Sequence, residues 1–170
     1  VLTHKKTSSL LQAMCECSRK FVNVIFNILR SPGPTLVYSN YVMMEGFEIL
    51  KIYLKHMGFH NPIKEEPRKD HRGYLEYHGG IKDREERFKA IRFYNQPENI
   101  TGKLAKLIMI SPAGAEGLSL KNCRQVHIME PYWHEVRISR MIGRAVRQTS
   151  HTALPIEERR VDIFRYKSIR

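Results

Sequence analysis

Hydrophobic positions along this chain follow two rhythms that alternate. Ser8 or Ser9 can cap a helix, and apolar residues then recur at helical spacing through LLQAMCECSRKFVNVIFNILR until Ser31-Pro32-Gly33-Pro34 stops the run. The stretch LVY that follows is continuously apolar and predicts a short buried strand over residues 35–38, with Ser39 and Asn40 at its carboxyl end. Helical spacing returns over residues 43–57 and ends at Gly58. Residues 60–73 hold Pro62, Pro67 and mixed charges with no apolar period, and read as a loop. Residues 74–78 predict a strand, Gly79-Gly80 a turn, and residues 83–94 a helix with Phe88, Ile91 and Phe93 inward. The runs KLIMI and VHIM predict two further strands, over residues 103–110 and 125–129. A helix over residues 132–147 and a last strand over residues 161–166 complete the pattern.

Strands alternating with helices of this length imply crossover connections, hence an α/β fold with a mostly parallel sheet covered on both faces. In such sheets ligands meet the loops at the carboxyl ends of the strands. Those loops are Ser39-Asn40, His78 to Gly80, Ser111 to Gly117 and Glu130 to Trp133, with the helix over 132–147 beside them. Residues 1–33 are expected to be a leading helix and linker from a preceding domain, and residues 34–170 a single domain.

Composition changes the picture in one respect. Hydrophobic content of 42% and charged content of 27% are ordinary for a globular domain, but a net charge of +12 predicts attraction to polyanions. No long apolar run or signal peptide is present, which argues against a membrane partner, and the chain opens at Val1 without a Met, as an excised piece of a larger protein would. Cys15, Cys17 and Cys123 are an odd set with no disulfide framework, which favours a reducing, intracellular compartment. Reading Cys15, Cys17, His56 and His60 as a zinc site is weaker than reading them as small buried residues and solvated histidines. Asn99-Ile100-Thr101 matches a glycosylation sequon, which in a reduced chain is expected to be chance.

Charge concentrates in the helix over 132–147. At about 100° per residue, Arg137, Arg140, Arg144 and Arg147 fall within roughly 80° of arc, opposite Ile138, Met141, Ile142, Ala145 and Val146. Co-facial arginines repel one another, so an anion is expected opposite them unless the face is simply solvated. Planar guanidinium forks suit phosphate oxygens, which makes a nucleotide or a nucleic-acid backbone the first candidate.

The run Arg140-Met141-Ile142-Gly143-Arg144-Ala145-Val146-Arg147 resembles the Q-x-x-G-R-x-x-R motif that closes the second motor domain of superfamily 2 helicases and translocases. Arg140 stands where that family usually has Gln. The loop Ser111 to Leu120 is similar to motif V of the same superfamily, and HIMEPYW followed by EVR and IGRA resembles helicases of large cytoplasmic DNA viruses, of the asfarvirus and poxvirus kind. The resemblance covers residues 34–166 and implies a RecA-like fold, with ATP held in a cleft between two such domains. It further implies DNA or RNA and the first RecA-like domain of the same parent chain as partners, and it adds a viral transcription complex, in the host cytoplasm or virion, as a third setting.

No G-x-x-x-x-G-K-[ST] occurs, so the phosphate-cradling loop and its Mg²⁺ ligand are missing from this stretch, and the chain alone is expected to hydrolyse nothing. By the resemblance, ATP and Mg²⁺ are held chiefly by the first domain, and this one supplies arginine. Arg147 matches the arginine finger and Arg144 a γ-phosphate contact. Gly117 allows the loop to approach the nucleotide, or is a turn glycine with no ligand. Ser119 stands at a ribose-binding position. Ser39, Asn40, Gly79, Gly80, Ser111 and Gly114 match strand-binding positions, although a Ser after a buried strand can also simply cap the next helix. Arg87 resembles the Arg of the motif after the His-Gly pair. Trp133 either stacks on a base or anchors the arginine helix, the second being expected. The alternative reading is a non-catalytic scaffold that binds nucleic acid or protein in a transcription complex.

Overall fold

Strands Thr35–Tyr38 (β1), Tyr74–Tyr77 (β2), Leu107–Ile110 (β3), Gln125–Ile128 (β4) and Asp162–Arg165 (β5) lie side by side in the order β2-β3-β1-β4-β5, every pair parallel. Helices Arg19–Arg30 (α1), Phe47–His56 (α2) and Arg84–Tyr94 (α3) cover the two faces. The computed structural model describes residues 12–15, 18–39, 46–111, 118–130, 136, 139–140, 142–143 and 151–167.

Alternation along β1 explains how the two faces are filled. Successive strand residues point to opposite sides. Leu36 and Tyr38 join Leu75, Ile108 and Val126 in a core closed by Ala90, Ile91 and Tyr94 of α3. Val37 points the other way, to Leu107 and Met109, where Ile25 and Ile28 of α1 meet Phe47 and Leu54 of α2. The three inner strands β3, β1 and β4 are therefore buried along their whole length, as their continuous apolar runs predict; of the two edges, β2 is also buried throughout, while β5 alternates between half-buried and exposed residues.

Two expected spans are shorter in the structure. Ser18 is extended, at φ −161° and ψ 104°, so α1 begins at Arg19 and the helical residues 12–15 precede it separately. The strand expected over 103–110 is β only from Leu107, because Asn99 holds the preceding residues in a bracket. Its Oδ1 accepts from the Leu104 and Ala105 N–H groups at 3.2 and 2.9 Å, and its Nδ2 donates to the Tyr94 and Ala105 carbonyls, both at 3.0 Å. This Asn is 1% exposed, so the sequon presents no acceptor to a glycosyltransferase. An Asn99→Ala change removes the partner of three buried backbone groups and of the half-buried Leu104 N–H, at about 1 to 3 kcal/mol for each buried group, and is expected to lower stability by about 3 kcal/mol or more. The unfolding midpoint of the domain measures this, and an unchanged midpoint would contradict the bracket.

Gly73 ends the charged loop for a steric reason: a Cβ there would lie 2.1 Å from the Leu104 carbonyl oxygen. Lys106 is a further buried polar residue, 3% exposed, whose ammonium donates to the Ser31 carbonyl at the carboxyl end of α1 at 2.6 Å. Burial pushes its pKa down to about 8. No helix among the described residues is long and apolar enough to cross a membrane.

Candidate nucleic-acid interface

The register aligns Tyr38, Tyr77, Ile110 and Ile128 across the sheet, so the residues that follow them leave from one edge. The ladder continues one residue further: Ser39 N–H donates to the Ile110 carbonyl at 3.4 Å, Ser111 N–H to the Tyr77 carbonyl at 3.3 Å, and Met129 N–H to the Tyr38 carbonyl at 2.9 Å. Ser39, Ser111 and the turn after Tyr77 are therefore gathered on a hydrogen-bonded base. Such a base fixes where the loops begin.

Their chemical states differ. Ser111 is 3% exposed, and its Oγ is buried with no hydrogen-bond partner among the described residues. A buried hydroxyl without a partner is costly and points to a polar group that arrives from outside. Ser39 is fully buried, and its Oγ donates to Glu130 Oε1 at 2.6 Å. Gly79 and Gly80 are both exposed, but the Gly80 N–H already donates to His78 Nδ1 at 3.1 Å. Arg87 of α3 is half-buried, with its guanidinium carbon 5.8 Å from the centre of the Tyr77 ring and its buried Nε without a partner. No carboxylate among the described residues pairs with it.

Behind the turn lies a buried network. His78 Nε2 meets Glu76 Oε1 at 3.2 Å, the same oxygen receives Lys51 Nζ at 3.1 Å, and Lys51 also meets Glu48 at 2.8 Å. Burial alone would raise the Glu76 pKa, but the hydrogen bond from His78 and the Lys51 ammonium outweigh it and hold the carboxyl below its usual value. Neither Glu76 nor Glu130 stands out as functional from composition or spacing. The available signal at Glu76 was a carboxylate in the otherwise apolar and aromatic strand YLEY.

Ser119 is exposed. Its carbonyl accepts from Asn95 Nδ2 at 2.9 Å, beside the C-cap of α3. Within the arginine-bearing segment, Val136, Ser139, Arg140, Ile142 and Gly143 are helical; Ile142 packs against the core on the α3 side, and Arg140 is exposed. Asn40, Gly114, Gly117, Trp133, Arg144 and Arg147 lie outside the described residues.

Comparisons with known proteins bear on this edge. A family model described as the helicase conserved C-terminal domain matches residues 19–149. A putative ATP-dependent RNA helicase of Acanthamoeba polyphaga mimivirus is 47% identical over 163 residues, covering 96% of this chain and 20% of that protein. A termination factor NPH-I homolog of African swine fever virus is 33% identical, covering 89% of this chain and 26% of that protein. The chain thus spans about a quarter or less of these relatives' lengths. Among solved structures, the C-terminal part of the Fun30 ATPase domain superposes with a TM-score of 0.61 at 15% identity, covering 85% of this chain and 40% of that one. That likeness establishes the fold, a RecA-like parallel sheet covered by helices.

Proposed function

Because the chain belongs to the helicase conserved C-terminal domain family, we propose that it is the second motor domain of an ATP-dependent superfamily 2 helicase or translocase acting on DNA or RNA. The observation that carries this reading is the edge at the strand ends. An unpartnered buried hydroxyl on Ser111, an exposed Gly79-Gly80 turn and an unpaired guanidinium on Arg87 stand around the ends of β2 and β3. Hydroxyls, backbone N–H groups and arginine are the donors that hold a nucleic-acid backbone by its phosphates. A net charge of +12 draws the strand to them.

The second half of the proposal concerns the nucleotide. Exposed Arg140 on a helix whose Ile142 turns inward fits a guanidinium face offered to polyphosphate. Bound ATP and Mg²⁺ supply phosphoryl transfer to water, with the metal held by the first RecA-like domain of the parent chain. On this side of the cleft Arg147 stabilises charge on the transferred phosphoryl group, and Arg144 contacts the γ-phosphate. Gly117 brings its backbone close, and the Ser119 hydroxyl binds the ribose. Of the strand-binding set, Ser111 and Gly79 contact phosphates directly with Asn40 and Gly114, and Gly80 takes part by shaping the turn through its bond to His78. Ser39 joins them by releasing Glu130.

We place the parent protein in a reducing, intracellular compartment, the host cytoplasm if its origin matches its viral relatives. The relative named as a termination factor makes a viral transcription complex the further partner under this reading. A second reading, a scaffold without hydrolysis, is favoured by one observation: Arg140 occupies the usual Gln position and is exposed. ATP hydrolysis by the full-length parent, with and without single-stranded and duplex nucleic acid, separates the two. Stimulation by nucleic acid is expected. No hydrolysis under any of these conditions would overturn the motor reading in favour of the scaffold.

A further inference from the structure

His78 is fixed from three directions. The Gly80 N–H can only donate, so the Nδ1 it meets at 3.1 Å must offer a lone pair. The neutral ring then carries its proton on Nε2, which faces Glu76 Oε1 at 3.2 Å and donates to it. The Phe47 ring of α2, 6.0 Å from the imidazole, covers the side chain. Lys51 of the same helix holds the Glu76 carboxylate at 3.1 Å. The chain of contacts therefore runs from α2 through β2 to the backbone of the turn at residues 78–80.

Cohesion between β2 and α2 does not require this arrangement. Apolar residues at positions 51 and 76 would join the two elements at least as well, since burying a charge pair is at best a modest gain. The network also ends on a backbone N–H of the turn that the proposed function assigns to a strand phosphate. With the Gly80 N–H occupied by His78, the turn keeps one shape, and the Gly79 N–H, which has no partner among the described residues, is the donor left for an incoming oxygen.

The geometry points to Glu76 as a positioning residue for nucleic-acid binding: by fixing the tautomer and orientation of His78 it sets the turn at residues 78–80 in the shape that receives a strand phosphate. The inference rests on the motor reading above. A carboxylate accepts only, and so permits only the tautomer described. An amide in its place can donate as well as accept, which allows the other tautomer, whose Nδ1–H opposes the Gly80 N–H.

The test uses the full-length parent and measures ATP hydrolysis against rising concentrations of a single-stranded oligonucleotide. Glu76→Gln is expected to raise the half-stimulating concentration by about five- to tenfold, the net worth of one hydrogen bond. Hydrolysis without nucleic acid and the KM for ATP stay at wild-type values, a separation that a merely structural role would not give. His78→Ala is expected to raise the half-stimulating concentration to a similar degree, and the double variant no further than His78→Ala alone, because Glu76 acts through His78. An unchanged half-stimulating concentration in Glu76→Gln overturns the inference. So does additivity in the double variant, or a parallel loss of strand response, basal hydrolysis and ATP affinity. Wild-type protein that nucleic acid does not stimulate would strike the motor reading itself and this inference with it, whereas wild-type stimulation with an unaffected variant strikes only the role given to Glu76.

Discussion

Replacing Arg147 by Ala in the full-length parent is expected to lower nucleic-acid-stimulated ATP turnover by about 10³-fold or more, the range for loss of an arginine finger, the role proposed for it. The effect is large because negative charge grows on the transferred phosphoryl group in the transition state, and a guanidinium already in place answers it without reorganisation. An interaction made chiefly in the transition state appears in kcat, so the KM for ATP is expected to move little. Arg147→Lys should recover only a small part of the loss, since an ammonium lacks the planar fork. Arg144→Ala, which removes a ground-state phosphate contact under the same reading, is expected to raise KM as well. Turnover within about threefold of wild type in Arg147→Ala would move the finger to another residue, because a transition-state contact of this kind is worth orders of magnitude.

Acidification below about pH 6.5, the ordinary value for imidazole, should destabilise the domain through His127. This residue of β4 is fully buried, with Nε2 2.8 Å from Gln125 Oε1 and Nδ1 2.8 Å from the Tyr166 hydroxyl. Asn27 Nδ2 donates to that hydroxyl at 3.0 Å, so its proton is directed to Nδ1, and the neutral ring is the form the site accommodates. The ring also stacks on Phe164, 4.8 Å away at 8°. Burial pushes the His127 pKa down to about 3. The unfolded chain therefore takes up a proton as pH falls through 6.5, while the folded chain refuses it until about pH 3. Stability present in full above pH 6.5 is lost at about 1.4 kcal/mol per unit of pH, reaching about 4 kcal/mol near pH 3.5. Unfolding free energies of wild type and His127→Asn, compared from pH 7.5 to pH 5, test this. The difference between them should shrink with acid. His60 and His71, whose pKa values burial also lowers, act alike in both proteins and cancel. Parallel pH profiles would contradict the assignment.

Much of the fold was legible because it depends on local pattern. Continuous runs such as LVY and LIMI, short and bounded by turn residues, read as strands buried on both sides, and helices between them imply parallel crossovers. The convergence of Ser39, Ser111 and the turn after Tyr77 follows from that topology. What the pattern does not carry is the partner of each polar group. Ser39 and Ser111 look equivalent in sequence, each a serine after a buried strand, yet the Ser39 hydroxyl is engaged by Glu130, a residue 91 positions away, and the Ser111 hydroxyl has no partner among the described residues. Gly79 and Gly80 form one motif, but His78 takes the N–H of only the second. The early end of the KLIMI strand toward its amino side depends on the Asn99 bracket, and no period records a side chain bonding to a backbone five residues on. Lys106 is buried at the start of β3, and the carbonyl its ammonium needs comes from Ser31 across the fold, which no local pattern records.

The central claim is that one edge of this sheet grips a strand while the arginine helix beside it reaches a nucleotide. The measurement that meets it most directly is the structure of the full-length parent bound to a non-hydrolysable ATP analogue and a single-stranded oligonucleotide. The account predicts strand phosphates against the Ser111 hydroxyl and the turn at residues 78–80, with the Arg147 guanidinium on the terminal phosphate of the analogue. A strand bound away from that edge, or an Arg147 turned from the nucleotide, would contradict it.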